Sequence, residues 1–419
     1  MLSRLSLPVE NVLLIVLSVC LACIGSSRPE GDLLATDFAS IQAALDALPE
    51  DGGIVTVPTG VYEIDKPIRI TRSNVTLRGG GRGTVILNTN SDGEPAILAG
   101  GEKNHEKNIL WGVTVSNLCI TGDQAAAAEA RAWPTGEEEA VTSGDAILAD
   151  HCYNSLFEKL WLVRNGGNGL NLHICLEDPR VVSCVISYNR RAGLRIEGAH
   201  DLVVASSHFE ENYEEGMLAL DSWNIAASGN DFDDNRKSAV VLKGCIGCPL
   251  SGNLYTNSPE WGLVLENCRG NTLNGEIIRR NLARGGLLLK NSSYNTVSGC
   301  SFDSNDGAAL ALEGDSRHNS ITGNVLSSFQ VQDKVTGFKI GGSGNLLSAN
   351  VISPGSGFAL VLSGSDQQVY GNSFLLENIE AKFIRLENPE WTVLRDNLFR
   401  RSGRIVAREK AIIRADQNN

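Results

Sequence analysis

The sequence predicts an all-β fold, a single-stranded right-handed parallel β-helix, and three observations carry that prediction. An aliphatic residue closes a G-L-x-L-like strand every roughly 22–24 residues, at Leu148, Leu172, Ile196, Leu220, Leu242, Leu265, Leu289, Leu312, Ile340, Leu362 and Leu386, with one longer interval before Ile340. A small or polar residue, often Asn, follows each anchor by about eleven positions (Asn230, Asn253, Asn324, Asn350, Asn372, Asn397), with an apolar residue two further on (Phe232, Tyr255, Phe374). A further row, Asn165, Asn189, Asn212 and Asn235, resumes after a slip at Asn281 and Asn305. Composition agrees: 44 Gly, 2 Met and only 6% aromatic residues describe tight turns and aliphatic stacking.

A repeat of this length is too short for the two helices of an ankyrin or tetratricopeptide unit, and the leucine-rich consensus is absent. One such coil cannot bury its apolar face alone, so neighbours stack to complete a core. Asn suits the bends because it tolerates left-handed backbone and bonds the backbone of the next coil. One elongated domain over residues 36–400 is expected, as a monomer, followed by a tail at 401–419.

Taken from the N-terminus, residues 1–25 read as an export signal, with Arg4 before the apolar run Val12 to Cys23, too short for a membrane span. Val19-Cys20-Leu21-Ala22-Cys23 resembles a lipobox, which makes Cys23 a candidate for lipid attachment; simple cleavage nearby is the alternative. Residues 36–50 predict a short amphipathic helix from Asp37, as N-cap, to Leu48, covering the open first coil. Gly79-Gly80-Gly81-Arg82-Gly83 lacks the Lys-Ser/Thr of a phosphate loop and reads as a tight turn. Residues 122–144 interrupt the repeat with Ala-rich, acidic sequence; Trp133 there could stack on a sugar from a lid, or the segment is an inert insertion.

The helix at Asp37, the run Gly53–Tyr62, the turn after Leu77 and the later G-L-x-L and G-N-x-F coils resemble the pectate-lyase-like β-helix superfamily over roughly residues 36–400. The resemblance implies a carbohydrate-active protein whose site lies outside one sheet, beside the G-L-x-L strand, where the related polygalacturonases carry their carboxylates. The paired-Asp, Gly-His-Gly and Arg-Ile-Lys motifs of those enzymes are missing; Arg195-Ile196-Glu197 stands where the last would be. The Asp-Pro-His-Asp motif of mannuronan epimerases is also absent.

The residues flanking the anchors, including Ala149, His173, Glu197, Asp221 and Lys243 after them and Asn171 and Arg195 before them, are expected to point away from the core. His173, Arg195, Glu197 and Asp221 form the candidate catalytic group; Asn171, Lys243, Glu215 and Trp133 are candidate substrate contacts. Glu197 and Asp221, sharing a row about 5 Å apart, fit the ~5–5.5 Å carboxylate pair of retaining glycosidases. Alternatively a uronate lyase or C5-epimerase uses Arg195 to neutralise the substrate carboxylate and His173 or Lys243 as the base. From Lys243 to Glu313 the alternating charges predict an ion-pair ladder.

A second outward face carries His208, Glu210, Asp231, Asp233 and Thr256; its acids could hold Ca²⁺ or form a solvated surface. Net charge −13 excludes nucleic acid and directs attention to a polysaccharide partner, with Ca²⁺ as a possible bridge to an acidic one. Ten cysteines in an exported chain invite disulfides, but Cys175, Cys245 and Cys268 share one row and fit stacked thiols; a Cys245–Cys268 bridge stays open. The alternative to an enzyme is a noncatalytic exported β-helix that binds glycan or a periplasmic or cell-surface partner.

Overall fold

The computed structural model describes residues 31–100, 108–124, 127, 141–327, 336–377, 381–401 and 404–413. Cys23, Trp133 and the predicted signal segment lie outside them. The chain winds as an all-β parallel solenoid of about 14 turns with about 24 residues per turn. A representative coil carries three short strands, Leu170–His173, Arg180–Val182 and Val185–Ser187. The first belongs to a 13-stranded sheet, and the other two belong to a 29-stranded sheet that makes the remaining walls.

Inside, side chains stack by type. Phe209, Phe232 and Tyr255 lie face to face, with centroids 4.8 and 5.5 Å apart, so each ring buries its faces against its neighbours. Asn side chains form ladders at the bends. Asn165 Nδ2 donates to Asn189 Oδ1 at 2.9 Å, Asn189 to Asn212 at 3.0 Å, and Asn212 to Asn235 at 3.0 Å. Thr256 pairs with Asp233, so Ser258 fills the place between Asn235 and Asn281; the apparent slip is a substitution, not a shift. A second ladder runs through Asn230, Asn253 and Glu276, and again through Asn324, Asn350, Asn372 and Asn397. A third, Asn271, Asn295, Asn319 and Asn345, ends at Gln367 and lies outside the rows read from the sequence. Each amide thereby satisfies buried backbone groups that would cost about 1–3 kcal/mol if left alone.

The register of the 13-stranded sheet corrects two anchors. Leu172 pairs with Ile196, but their neighbours in the column are Ala149 and Ala219, not Leu148 and Leu220. Ala149 and Ala219 are fully buried, whereas Leu148 and Leu220 face outward. The slip by one residue turns every side chain of those two strands to the opposite face. Asp221 consequently leaves the outward row. It sits at the left-handed bend after the strand, φ 44°, in the column of His151, Ile174, Gly198 and Gly244.

The capping helix spans Ile41–Asp46 and buries Ile41, Ala44 and Leu45. Its N-cap is Ser40, whose hydroxyl accepts from the Ala43 N–H at 3.0 Å; Asp37 lies instead in a single 3₁₀ turn, Ala35–Asp37. Ser40 wins because it immediately precedes the first buried apolar residue. At the far end Thr392–Arg401 pairs antiparallel with Arg404–Ile413. No helix among the described residues is long and apolar enough to cross a membrane.

The eight described cysteines are free and buried. Cys245 and Cys268 donate their thiols to the backbone oxygens of Ala219 and Leu242 at 3.5 and 3.3 Å, so they stack as neighbours without a bridge. Burial pushes the thiols of Cys119, Cys184 and Cys300 up to about 12.

Candidate functional site

Because strand residues alternate, each coil of the 13-stranded sheet presents two side chains outward. In three consecutive coils these are Leu148 and Asp150, Asn171 and His173, Arg195 and Glu197. Asp150 Oδ1 lies 2.7 Å from His173 Nδ1 and 2.8 Å from His151 Nδ1. A carboxylate only accepts, so both imidazoles direct Nδ1–H at it, which leaves Nε2 of the partly exposed His173 as the free base nitrogen. One coil further, Arg195 Nη2 pairs with Glu197 Oε2 at 2.6 Å, which fixes the guanidinium on the open face.

Beside this row lies a groove of about 570 Å³, lined by Asp145, Asn168, Asn171, Arg191 and Arg195 together with Gly166 and Gly167. Asp145 organises it: Oδ1 accepts from the Asn168 backbone and side chain at 2.6 and 2.9 Å, and Oδ2 accepts from Asn171 Nδ2 at 2.8 Å. A side chain at position 167 would collide with that carboxylate, since an added Cβ would stand 2.3 Å from Asp145 Oδ1. Only Gly lets the two coils approach there.

The structure therefore brings together His173, Arg195, Glu197 and Asn171, and separates three other candidates from them. Leu220, not Asp221, occupies the row beside Glu197, so the carboxylate pair expected of a retaining glycosidase is absent. Lys243 is two coils beyond Glu197 and pairs with Glu266 at 3.8 Å. Glu215 lies at the bend before Met217–Leu220, 3.8 Å from Lys237, and burial raises its pKa. Trp133 is outside the described residues. On the second face His208 bridges Glu210 and Asp231, both at 3.3 Å, while Asp233 accepts from Asn257 Nδ2 at 3.0 Å. The Asp231 carboxylate raises the His208 pKa, and burial raises that of Glu210. Among the described residues, three donors do converge tightly enough for a metal ion, but they are Asp150, His151 and His173.

Asp150, His151, Asp145 and Arg191 were missed by reading only residues next to large aliphatic anchors. A signal for the first two was present. Leu172, Ile196, Leu242, Leu265 and Leu289 are each followed three residues later by a small buried residue, Cys175, Ala199, Cys245, Cys268 and Ser292. Applied to the two doubtful coils, that spacing selects Ala149 with Cys152 and Ala219 with Ser222.

Residues 164–340 match the family model for NosD, a periplasmic copper-binding protein, a segment that begins after Asp150 and His151. No curated protein matches the sequence. Among solved structures, the A-module of the Azotobacter vinelandii mannuronan C-5 epimerase AlgE6 is similar at 13% identity, over 85% of this chain and 98% of that one, with a TM-score of 0.63. Gene product 12 of bacteriophage phi29 is similar at 13% identity over 96% of this chain and 60% of that one, TM-score 0.68. The Streptococcus pneumoniae surface protein and adhesin PfbA is similar at 13% identity over 85% and 99%, TM-score 0.55. At such identities a shared winding says nothing of a shared activity. By its repeat, its register and these likenesses, the chain folds as a right-handed parallel β-helix.

Proposed function

We propose that this is an exported carbohydrate-active protein that removes the proton α to the carboxylate of a uronate in an acidic polysaccharide, as the opening step of β-elimination or C5-epimerisation. The observation that carries this reading is the 2.7 Å contact between His173 and Asp150, one coil from the Arg195 guanidinium and beside an open groove. Asp150 orients the imidazole and stabilises the imidazolium formed when Nε2 takes the proton. Arg195 neutralises the sugar carboxylate and the enolate charge that develops on it, while Glu197 holds the guanidinium in place. Asp145, Asn168 and Asn171 offer the polar edge that sugar hydroxyls need. If the 4-substituent then leaves, the product is unsaturated; if a proton returns from the opposite face, it is the epimer. The periplasmic character of the NosD family, whose model matches residues 164–340, supports export.

Both outcomes begin with the same bond cleavage. Incubation with a panel of polyuronates in D₂O, followed by NMR of C5 and by ultraviolet absorbance, is expected to report proton removal either as deuterium at C5 of the epimer or as unsaturated chain ends of the eliminated product. His173→Ala and Arg195→Ala should each abolish it. A silent wild type across the panel, or undiminished proton removal in His173→Ala, would remove the proposal.

A further inference from the structure

We infer that Asp150, His151 and His173 form a three-donor site for a borderline divalent cation, Zn²⁺ or Cu²⁺. Two imidazole nitrogens and one carboxylate oxygen converge from adjacent coils, with N···O separations of 2.8 and 2.7 Å and all three donor atoms within 4.8 Å of one another. The rings meet edge to face with centroids 6.0 Å apart, so neither blocks the other's approach to a shared ion. The scaffold holds the donors in place: Asp150 pairs with His173 in the sheet, and the His151 N–H donates to the His173 carbonyl at 2.9 Å. The side chains of His151 and Asp150 are mostly buried, 7% and 16% exposed, whereas His173 is 29% exposed and leaves one side open to solvent.

The donor set selects the ion. Imidazole nitrogen suits zinc and copper, while calcium requires six to eight oxygens, which three donors of this kind do not supply. Three protein ligands with an open fourth position is the arrangement of an accessible rather than a closed zinc site. Neighbouring Cys152 takes no part, because its thiol turns inward to the Ala99 carbonyl at 3.6 Å.

Occupancy bears on the proposed reaction, and this consequence rests on His173 being its base. A neutral imidazole that gives Nδ1 to a cation carries its proton on Nε2, so the loaded form has no base to offer. The site would then switch the chemistry off, and a chelator would restore it.

The test is made on the untagged chain after chelator treatment, by calorimetric titration with ZnCl₂, CuSO₄ and CaCl₂ and by electron paramagnetic resonance of the Cu²⁺ form. One equivalent of Zn²⁺ or Cu²⁺ is expected, with Ca²⁺ giving none, and the copper spectrum should report two nitrogen donors. His151→Ala and His173→Ala should each weaken binding by more than the ~10–100-fold that loss of an outer partner costs, and Asp150→Asn, which keeps the side-chain shape, should weaken it as well. His208→Ala should bind like wild type. Absence of Zn²⁺ and Cu²⁺ binding, a spectrum without two nitrogens, or equal binding by the His151→Ala/His173→Ala double variant overturns the site, whatever the activity assays give. Binding of Ca²⁺ as tight as Zn²⁺ overturns the assignment of ion class. Binding as inferred but without inhibition leaves the site standing and removes His173 as the base.

Discussion

Two stretches of the 13-stranded sheet share one backbone and differ in what they turn outward. Over the coils of Asp150, His173 and Glu197 the outward positions carry acid, imidazole, amide and guanidinium beside an open groove. Over the coils of Val264, Leu288 and Ala311 one of those positions is apolar and packs with Trp261 into a covered stripe. The other position there carries the ion pairs Lys243–Glu266 and Glu266–Lys290, at 3.8 and 3.0 Å, and Glu313, which reaches across at 3.5 Å to Lys339, the next residue of the Ala311 column. The second stretch shows what the winding needs for stability alone, and it needs no imidazole and no groove. Polar groups at the equivalent places of the first stretch are therefore surplus to the fold, and that surplus marks the site.

Substitutions that separate the stretches can break this contrast. His173→Ala should lower turnover on a uronate polymer by ~10²–10⁴-fold while changing the unfolding free energy by less than ~0.5 kcal/mol, measured by denaturant titration. A loss of stability equal to that of a core change would erase the distinction.

Next in size is a pH effect in the second stretch, in the coil that follows Trp261–Glu266. Burial raises the Glu276 carboxyl from its ordinary 4.5 to about 7 in the Asn ladder. The folded chain thus holds this proton more tightly than the unfolded one. Its contribution is full below about pH 4.5, is lost as pH rises to about 7 and stays constant above, a fall of about 3 kcal/mol. Glu276→Gln keeps an acceptor for Asn253, so unfolding midpoints of this variant should show a flatter pH dependence across that window.

Leu288→Ala should cost about 2–3 kcal/mol of stability with unchanged turnover per folded molecule, which is the reverse of His173→Ala. The smallest effect is expected of Lys290→Ala. Its ammonium is 46% exposed and pairs with Glu266 at 3.0 Å, so thermal melts should move by no more than ~0.5 kcal/mol. A larger loss would mean that the ladder, rather than the apolar stripe, holds these coils.

Much of the winding was legible because the periodicity repeats the same physical demand on every coil: an aliphatic inward residue, an amide at the bend, an aromatic to stack. Reading failed where a small residue met that demand. Ala149 and Ala219 fill the inward position, yet each stands beside a Leu that looks the better anchor, and this reversal hid Asp150 and promoted Asp221. Ser40 was passed over as N-cap for a similar reason, the acidic Asp37 being the stronger signal at the wrong place. Asp145 and Arg191 belong to no strand row; their nearness to Asn171 and Arg195 comes from the way the bends superpose, which spacing along one strand does not reveal.

The thiols carry a consequence for the order of events in making this protein. Once wound, the described sulfhydryls are shut away from oxidants, and burial holds Cys119, Cys184 and Cys300 far from the thiolate form that attacks. Before winding, the same sulfhydryls are in water and free to pair wrongly with one another. A mispaired sulfur cannot take its place in the stack, so winding has to outrun oxidation, and the coils that close first shelter the rest.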